Sequence, residues 1–293
     1  MANNVNMRFG SANLPRPVRG AANGSDDWSQ VIVGVDGTGA QDWGAVDIRR
    51  SFVNKVVAQS TIRHKLYLRG PDGSGSISYA ISRKAKDWLE KAIAAGAKSV
   101  VFTGYSRGCV IGIDVCAWLK KSYPDVSVYC MALFDAVDRQ LFMGGDIPSN
   151  VKWCYHAMRL PSTCSRPYMQ NCATQKEDNT HLEIERFYAS HGGMGGMPWD
   201  AANEERFKIS DLRLNPFQTD GVLKNQNLIA GVIAPTRALD TLAGCKVTLA
   251  QDEAGSAAVG KWMWERLARR GILPASASPS SFAPMPDESS RTN

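Results

Sequence analysis

The sequence predicts an α/β protein, with a mostly parallel central sheet covered by helices on both faces. Short apolar runs rich in β-branched residues alternate with longer amphipathic patterns, in strand-helix order. The helical patterns end on stop signals, at Gly96, before Pro124 and at Gly271. One strand also runs straight into a helix through Gly104-Tyr105-Ser106-Arg107-Gly108, a tight turn with glycine on both sides of a serine.

The elements follow in order. "QVIVGVDG" is a buried strand ending in a turn, and "GSISYAISRKAKDWLEKAIAAG" is a helix stopped by Gly96. "KSVVFTGYS" is a strand, and "RGCVIGIDVCAWLKKSYP" is the helix that follows it. "VSVYCMALFDAVD" and "VKWCYHAMRL" are further strands, and "AGSAAVGKWMWERLARRGI" is a closing helix. Residues 200–250 break the alternation and read as an insertion. A lid over a site and a plain extension of the fold are both open for it. Residues 1–28, polar and rich in Gly, Asn and Pro, read as an extended arm. Residues 29–273 form the folded domain, and residues 274–293, rich in Ser and Pro, read as a largely disordered tail.

Hydrophobic residues make up 44% of the 293 and charged residues 21%, as in ordinary globular chains. No run approaches the ~18 apolar residues that would cross a bilayer. The first twenty residues contain no apolar core, so no classical secretory signal is expected. The expected location is the cytoplasm of the producing cell, with export by a dedicated machine left open. The net charge of +6 is spread along the chain without a basic block, which argues against nucleic-acid binding. Of seven cysteines, Cys109, Cys116 and Cys130 sit in apolar runs as small buried hydrophobes. Cys154, Cys164 and Cys172 read as loop residues, two of which suit a bridge in an oxidising compartment. No Cys-x-x-Cys occurs, and neither a metal nor an organic cofactor is implied.

A serine between a strand and a helix, flanked by glycines, has the context of a nucleophile elbow. Its hydroxyl needs a base, and the base needs a group to orient it. In hydrolases of this class both come later in the chain, acid before histidine. His64 and His156 lie in strand-like segments and read as structural, and His181 lies in a polar stretch. His191 follows "ERFYAS" and opens "HGGMGGMPW", 85 residues after Ser106, where glycines let the backbone approach closely. It is the candidate base. Asp135, at the end of "VYCMALFD", is the candidate acid and is preferred to Asp138, which reads as a turn cap. The oxyanion hole would take the N–H of Arg107 and a second N–H, from Gly37 or Thr38 in "VDGTG". That loop lacks the preceding Asp of dehalogenase-type phosphatases, the Gly-Lys-Ser/Thr of a phosphate loop and the spacing of a dinucleotide fingerprint.

Taken together, "VIVGVDGTG", "VVFTGYSRGCVIG", "ALFDAVD", "VKWCYHAMRLPSTCSRPYMQ", "SHGGMGG" and "GKWMWERLARRGI" resemble a known group. It is the bacterial α/β-hydrolase domain family that includes first-class type VI secretion lipase effectors. The matches cover about residues 30–200 and 255–271. "FDAVD" stands where the family shows Asp-Thr-Val, and "HGGMGG" lacks the usual polar residue soon after His. The resemblance implies Ser106 as nucleophile, Asp135 as acid and His191 as base in an α/β-hydrolase-like fold. It also implies phospholipase or carboxylesterase activity, and it leaves room for an immunity or secretion partner.

The sequence therefore reads as a serine hydrolase of carboxylic esters, acting through an acyl-enzyme. Its substrate would be an ester or a lipid, met at a membrane surface in the second case. An amidase or peptidase would use the same residues, and a non-catalytic binding protein on the same fold is the other alternative.

Overall fold

A computed structural model of the protein describes residues 27–38, 50–71, 77–138, 145–163, 165, 171–198 and 247–281. In it the chain is an α/β protein. Six parallel strands form one sheet: β1 (Gln30–Val35), β2 (His64–Leu68), β3 (Ser99–Tyr105), β4 (Ser127–Phe134), β5 (Val151–Arg159) and β6 (His181–Phe187). The order across the sheet is β2-β1-β3-β4-β5-β6. The described helices are α1 (Phe52–Gln59), α2 (Ser78–Ala94), α3 (Arg107–Ser122), the single turn α4 (His191–Met194) and α5 (Leu249–Arg269).

The two-residue period of the strands explains the two core layers. Val31, Val33 and Val35 of β1 pack with Val100 and Phe102 of β3 beneath α2 and α3, which contribute Leu89 and Leu119. The intervening Ile32 and Val101 turn to the opposite face, beneath Val53 of α1 and Val259 and Met263 of α5. Strands buried on both faces read as unbroken apolar runs, which is why their alternation is invisible in the sequence. In α2, Ile81, Ala85, Leu89 and Ala92 form the buried stripe. Truncating Leu89 to Ala there costs about 3 kcal/mol.

Connectivity decides where the site lies. β1 is flanked by β2 on one side and β3 on the other, and the helices that follow β1 and β3 go to opposite faces of the sheet. The crevice outside the carboxyl ends of β1 and β3 is therefore the switch point, where ligands bind in open parallel sheets. The Asp36-Gly37-Thr38 loop follows β1, and Ser106 follows β3.

Several expectations shift. Cys154, expected in a loop, is buried in the middle of β5, and burial pushes its thiol well above the ordinary range. Cys109, Cys116, Cys130, Cys154 and Cys172 are free thiols, and Cys164 and Cys245 lie outside the described residues. The closing helix starts earlier than its apolar pattern, because Thr248 and Gln251 cap it reciprocally. Residues 274–281, read as the head of a loose tail, are fastened to α1. The Lys55 ammonium donates to the Pro279 carbonyl at 2.6 Å, and the Gln59 amide to the Ser278 carbonyl at 3.0 Å. At the other end Trp28 stacks on His64 with ring centroids 3.5 Å apart. The arm up to residue 26, residues 200–246 of the insertion expected over 200–250 and residues 282–293 lie outside the described residues, while Leu249 and Ala250 open α5. No described helix is long and apolar enough to cross a membrane.

Candidate active site

β3 delivers the chain to Ser106, which caps α3 with φ 55° and ψ −125°. A side chain in the left-handed region costs about 1–3 kcal/mol and persists only where its surroundings hold it. The Ser106 N–H donates to the Phe134 carbonyl at 3.0 Å, tying the turn to the end of β4. The flanking glycines are required by packing. A Cβ on Gly104 would lie 2.8 Å from the Cys109 nitrogen, and one on Gly108 would lie 2.1 Å from the Val35 carbonyl oxygen. Both clashes are with backbone that cannot yield. The turn therefore presents Oγ over the sheet edge, with the first N–H groups and positive dipole end of α3 behind it.

The structure brings Ser106, His191 and Asp135 into one hydrogen-bonded chain. His191 Nε2 lies 2.9 Å from Ser106 Oγ, and His191 Nδ1 lies 2.6 Å from Asp135 Oδ2. Their exposures are 4%, 1% and 0% respectively, so water screens these contacts little. Burial would raise the Asp135 carboxyl. The hydrogen bond from His191, the Arg159 charge, the His191 charge and the Asn171 amide outweigh it and hold Asp135 well below the usual carboxylate range. An ionised Asp135 can only accept, so Nδ1 carries the imidazole proton and Nε2 accepts from the serine hydroxyl.

Asp135 itself sits at φ 49°. Its Oδ1 accepts from the Asn171 amide at 2.7 Å and from the Arg159 N–H at 3.2 Å. The Arg159 guanidinium forms a buried ion pair with Oδ2. The Asp135 N–H donates to the Ala157 carbonyl at 2.7 Å. His156, expected to be structural, supports the acid loop from beneath. Its Nε2 accepts the Ala136 N–H at 3.0 Å, and its Nδ1 lies 3.1 Å from the Ala173 carbonyl. Burial lowers its pKa to about 4, so the ring is neutral with its proton on Nδ1.

The histidine is held as firmly. Its N–H donates to Ser165 Oγ at 2.8 Å, and its carbonyl accepts from the Tyr105 hydroxyl at 2.8 Å. It opens α4 rather than a loose loop, with Ser190 as the N-cap. The glycines expected to give freedom mostly give room. A Cβ on Gly193 would meet Asp252 Oδ1 at 2.3 Å, and one on Gly195 would meet the Tyr105 ring at 2.7 Å. Of these only Gly196, at φ 85°, needs the left-handed region.

The loop after β1 carries the expected oxyanion-hole residues Gly37 and Thr38. The Gly37 N–H donates to Asp36 Oδ1 at 2.9 Å, a bond it would have to exchange to serve an oxyanion. Asp36 Oδ2 accepts from the Tyr67 hydroxyl at 2.7 Å. Burial raises the Asp36 carboxyl, and hydrogen bonds from Ser51, Tyr67 and Gly37 and the Arg69 charge offset part of the rise. Asp36 thus shapes the loop that carries Thr38, whose buried hydroxyl has no hydrogen-bond partner among the described residues. Gly37, Thr38 and the Arg107 N–H, at the first position of α3, are the candidates.

Arg159, Asn171, Ser165 and Asp252 were missed by reading the sequence. Each lies 24 or more residues along the chain from the group it holds, and nothing local in the sequence states that pairing. Among the described residues no cluster of His, Cys, Asp and Glu could hold a metal ion.

No family model matches the chain, and no curated protein matches it. Among solved structures it is similar to the Tle1 effector bound to the VgrG spike from the Type 6 secretion system, with 12% identity and a TM-score of 0.37. The similarity covers 62% of this chain and 56% of that one, little more than half its length.

Proposed function

We propose that the protein is a serine hydrolase of carboxylic esters, with Ser106 as nucleophile, His191 as general base and acid, and Asp135 as the orienting acid. The observation that carries this reading is the unbroken Ser106–His191–Asp135 chain at a strained elbow. A strained serine, a neutral imidazole accepting from it and an ionised carboxylate behind that imidazole have a joint use in nucleophilic catalysis.

The steps follow from the atoms. Ser106 Oγ attacks the ester carbonyl carbon as its proton passes to His191 Nε2. The new imidazolium keeps its Nδ1 proton and donates that N–H to the Asp135 carboxylate. The carbonyl oxygen gains the charge and turns toward the Arg107 N–H and Thr38 at the positive end of α3. Collapse expels the alkoxide, which takes the proton from Nε2 and leaves an acyl-serine. Water, deprotonated by the same nitrogen, then releases the carboxylic acid and restores Ser106.

The motif resemblance in the sequence supports a lipid or phospholipid ester over a small soluble one. A panel of p-nitrophenyl esters, phospholipids and p-nitroanilides tests this. Hydrolysis of esters that is lost in Ser106→Ala supports the reading, and cleavage of the anilides alone makes the protein an amidase or peptidase instead.

A further inference from the structure

We infer that Arg159 is a positioning residue that sets the acid limb of the pH–rate profile, by fixing a guanidinium charge against the Asp135–His191 pair. This rests on the triad reading above.

Arg159 is the last residue of β5 and is 6% exposed. Its placement is over-determined. The backbone N–H bonds Asp135 Oδ1 at 3.2 Å, Nη1 bonds Asp135 Oδ2, and Nε donates to the Ser165 carbonyl at 3.1 Å. Ser165 in turn accepts the His191 N–H. Nη1 stops 3.5 Å from His191 Nδ1. Both atoms carry protons directed at Oδ2, so this is a close approach of two donors to one acceptor.

The charges that face His191 come from each element around it. β3 brings Tyr105, whose ring centroid is 5.0 Å away and whose hydroxyl is spent on the His191 carbonyl. The elbow brings Ser106. The residue after β4 brings the Asp135 carboxylate, and β5 brings neutral His156 behind it and the Arg159 guanidinium. α5 brings Asp252, bound to the Ser190 N–H and hydroxyl rather than to the ring. In the contacts among the described residues the imidazole thus meets the Asp135 carboxylate, whose own cation lies beside it. A lone buried carboxylate favours imidazolium and so closes down a histidine base as the pH falls. A guanidinium at the same oxygen works against that protonation. The base stays neutral, and able to take the serine proton, to lower pH. The cost is a weaker hold on the imidazolium during turnover.

The test is the second-order rate of fluorophosphonate labelling of Ser106 from pH 4 to 9, in wild type, Arg159→Gln, Arg159→Met and Arg159→Lys. Circular dichroism checks the fold of each. Both neutral variants should move the acid limb up by about one pH unit, so that labelling at pH 5 falls about tenfold relative to the plateau. Arg159→Lys keeps the charge but loses the fork. It should lower the plateau while leaving the limb within a few tenths of a unit of wild type. A limb that stays put in the neutral variants, or moves equally in Arg159→Lys, overturns the inference. So does failure of both neutral variants to fold, which makes Arg159 a folding determinant. A wild type that is not labelled at any pH removes the triad reading itself, a different and recognisable failure.

Discussion

Ser190 and Asp252 are joined twice, although 62 residues separate them. The Ser190 N–H donates to Oδ1 at 2.6 Å and its hydroxyl donates to Oδ2 at 2.8 Å, while the same hydroxyl accepts the Gly193 N–H at 3.0 Å. Asp252 thereby fixes, from the first turn of α5, the cap of the short helix that carries His191. Replacing Asp252 with Ala leaves two buried donors unmatched. It should cost about 2–3 kcal/mol in chemical denaturation. The labelling rate of Ser106 should also fall at least about tenfold, because a misplaced base loses its alignment. Wild-type labelling by a folded Asp252→Ala protein would show that α5 does not position the histidine.

Asp135→Asn separates charge from shape. The amide can donate to Nδ1 and so favours the wrong imidazole tautomer, and turnover should fall by about 10³–10⁴. The same change strands the buried Arg159 charge, which should cost about 3–5 kcal/mol of stability. Ser106→Ala, by contrast, should abolish turnover at little cost in stability. Paired melting and ester-hydrolysis measurements on the two variants check this. A stable Asp135→Asn would show that Arg159 finds another counter-charge.

The acid limb of stability should follow His156. Its folded pKa is depressed to about 4, so the stability from keeping it neutral is present above the unfolded value of 6.5 and lost as pH falls toward 4. The drop across that window is about 3 kcal/mol. Asp135, also depressed, contributes above the ordinary carboxylate value, and its share is lost only below that value. Asp36 has the opposite sign. Its raised pKa means its contribution is present at low pH and lost as pH rises. Urea denaturation of wild type and His156→Gln between pH 7 and 4 tests the first statement. The variant should show a flatter slope, and an unchanged slope would assign the pH dependence elsewhere.

The elbow makes two predictions of opposite sign. Gly108→Ala forces a Cβ to within 2.1 Å of the Val35 carbonyl oxygen and should destabilise the fold by about 2 kcal/mol or more. Gly145→Ala, where a Cβ meets nothing within 4 Å, is the matching control. Ser106→Gly should be more stable than Ser106→Ala by about 1 kcal/mol, because glycine accepts φ 55° without strain. Equal melting of the two would mean that the turn stores no strain.

Local chemistry explains what the sequence disclosed. The β-branched runs, the glycines around Ser106 and the aspartate ending β4 are marked by their neighbours in the chain, so the alternating fold and the residues that meet at the switch point could be read directly. His191 could be found because it combines a histidine with an unusual density of glycine. Arg159 could not, since an arginine closing an apolar strand carries no signal until β4 lies beside β5. Asp252 was hidden because the polar first turn of α5 masks the helix start, and its partner lies across the segment 199–246. Nothing in "DGTG" reveals that Asp36 bends back onto the N–H of Gly37. The loop reading of Cys154, shared with Cys164 and Cys172, gives way to the strand reading of "VKWCYHAMRL", in which β5 buries it fully.

The most direct test of the central claim is intact-mass and peptide analysis of the full chain after treatment with a fluorophosphonate at pH 8. The account predicts one adduct per chain, on Ser106, formed with loss of fluoride and absent from a folded Ser106→Ala protein. A folded wild-type protein that forms no adduct at Ser106, or an adduct that persists in Ser106→Ala, would contradict it.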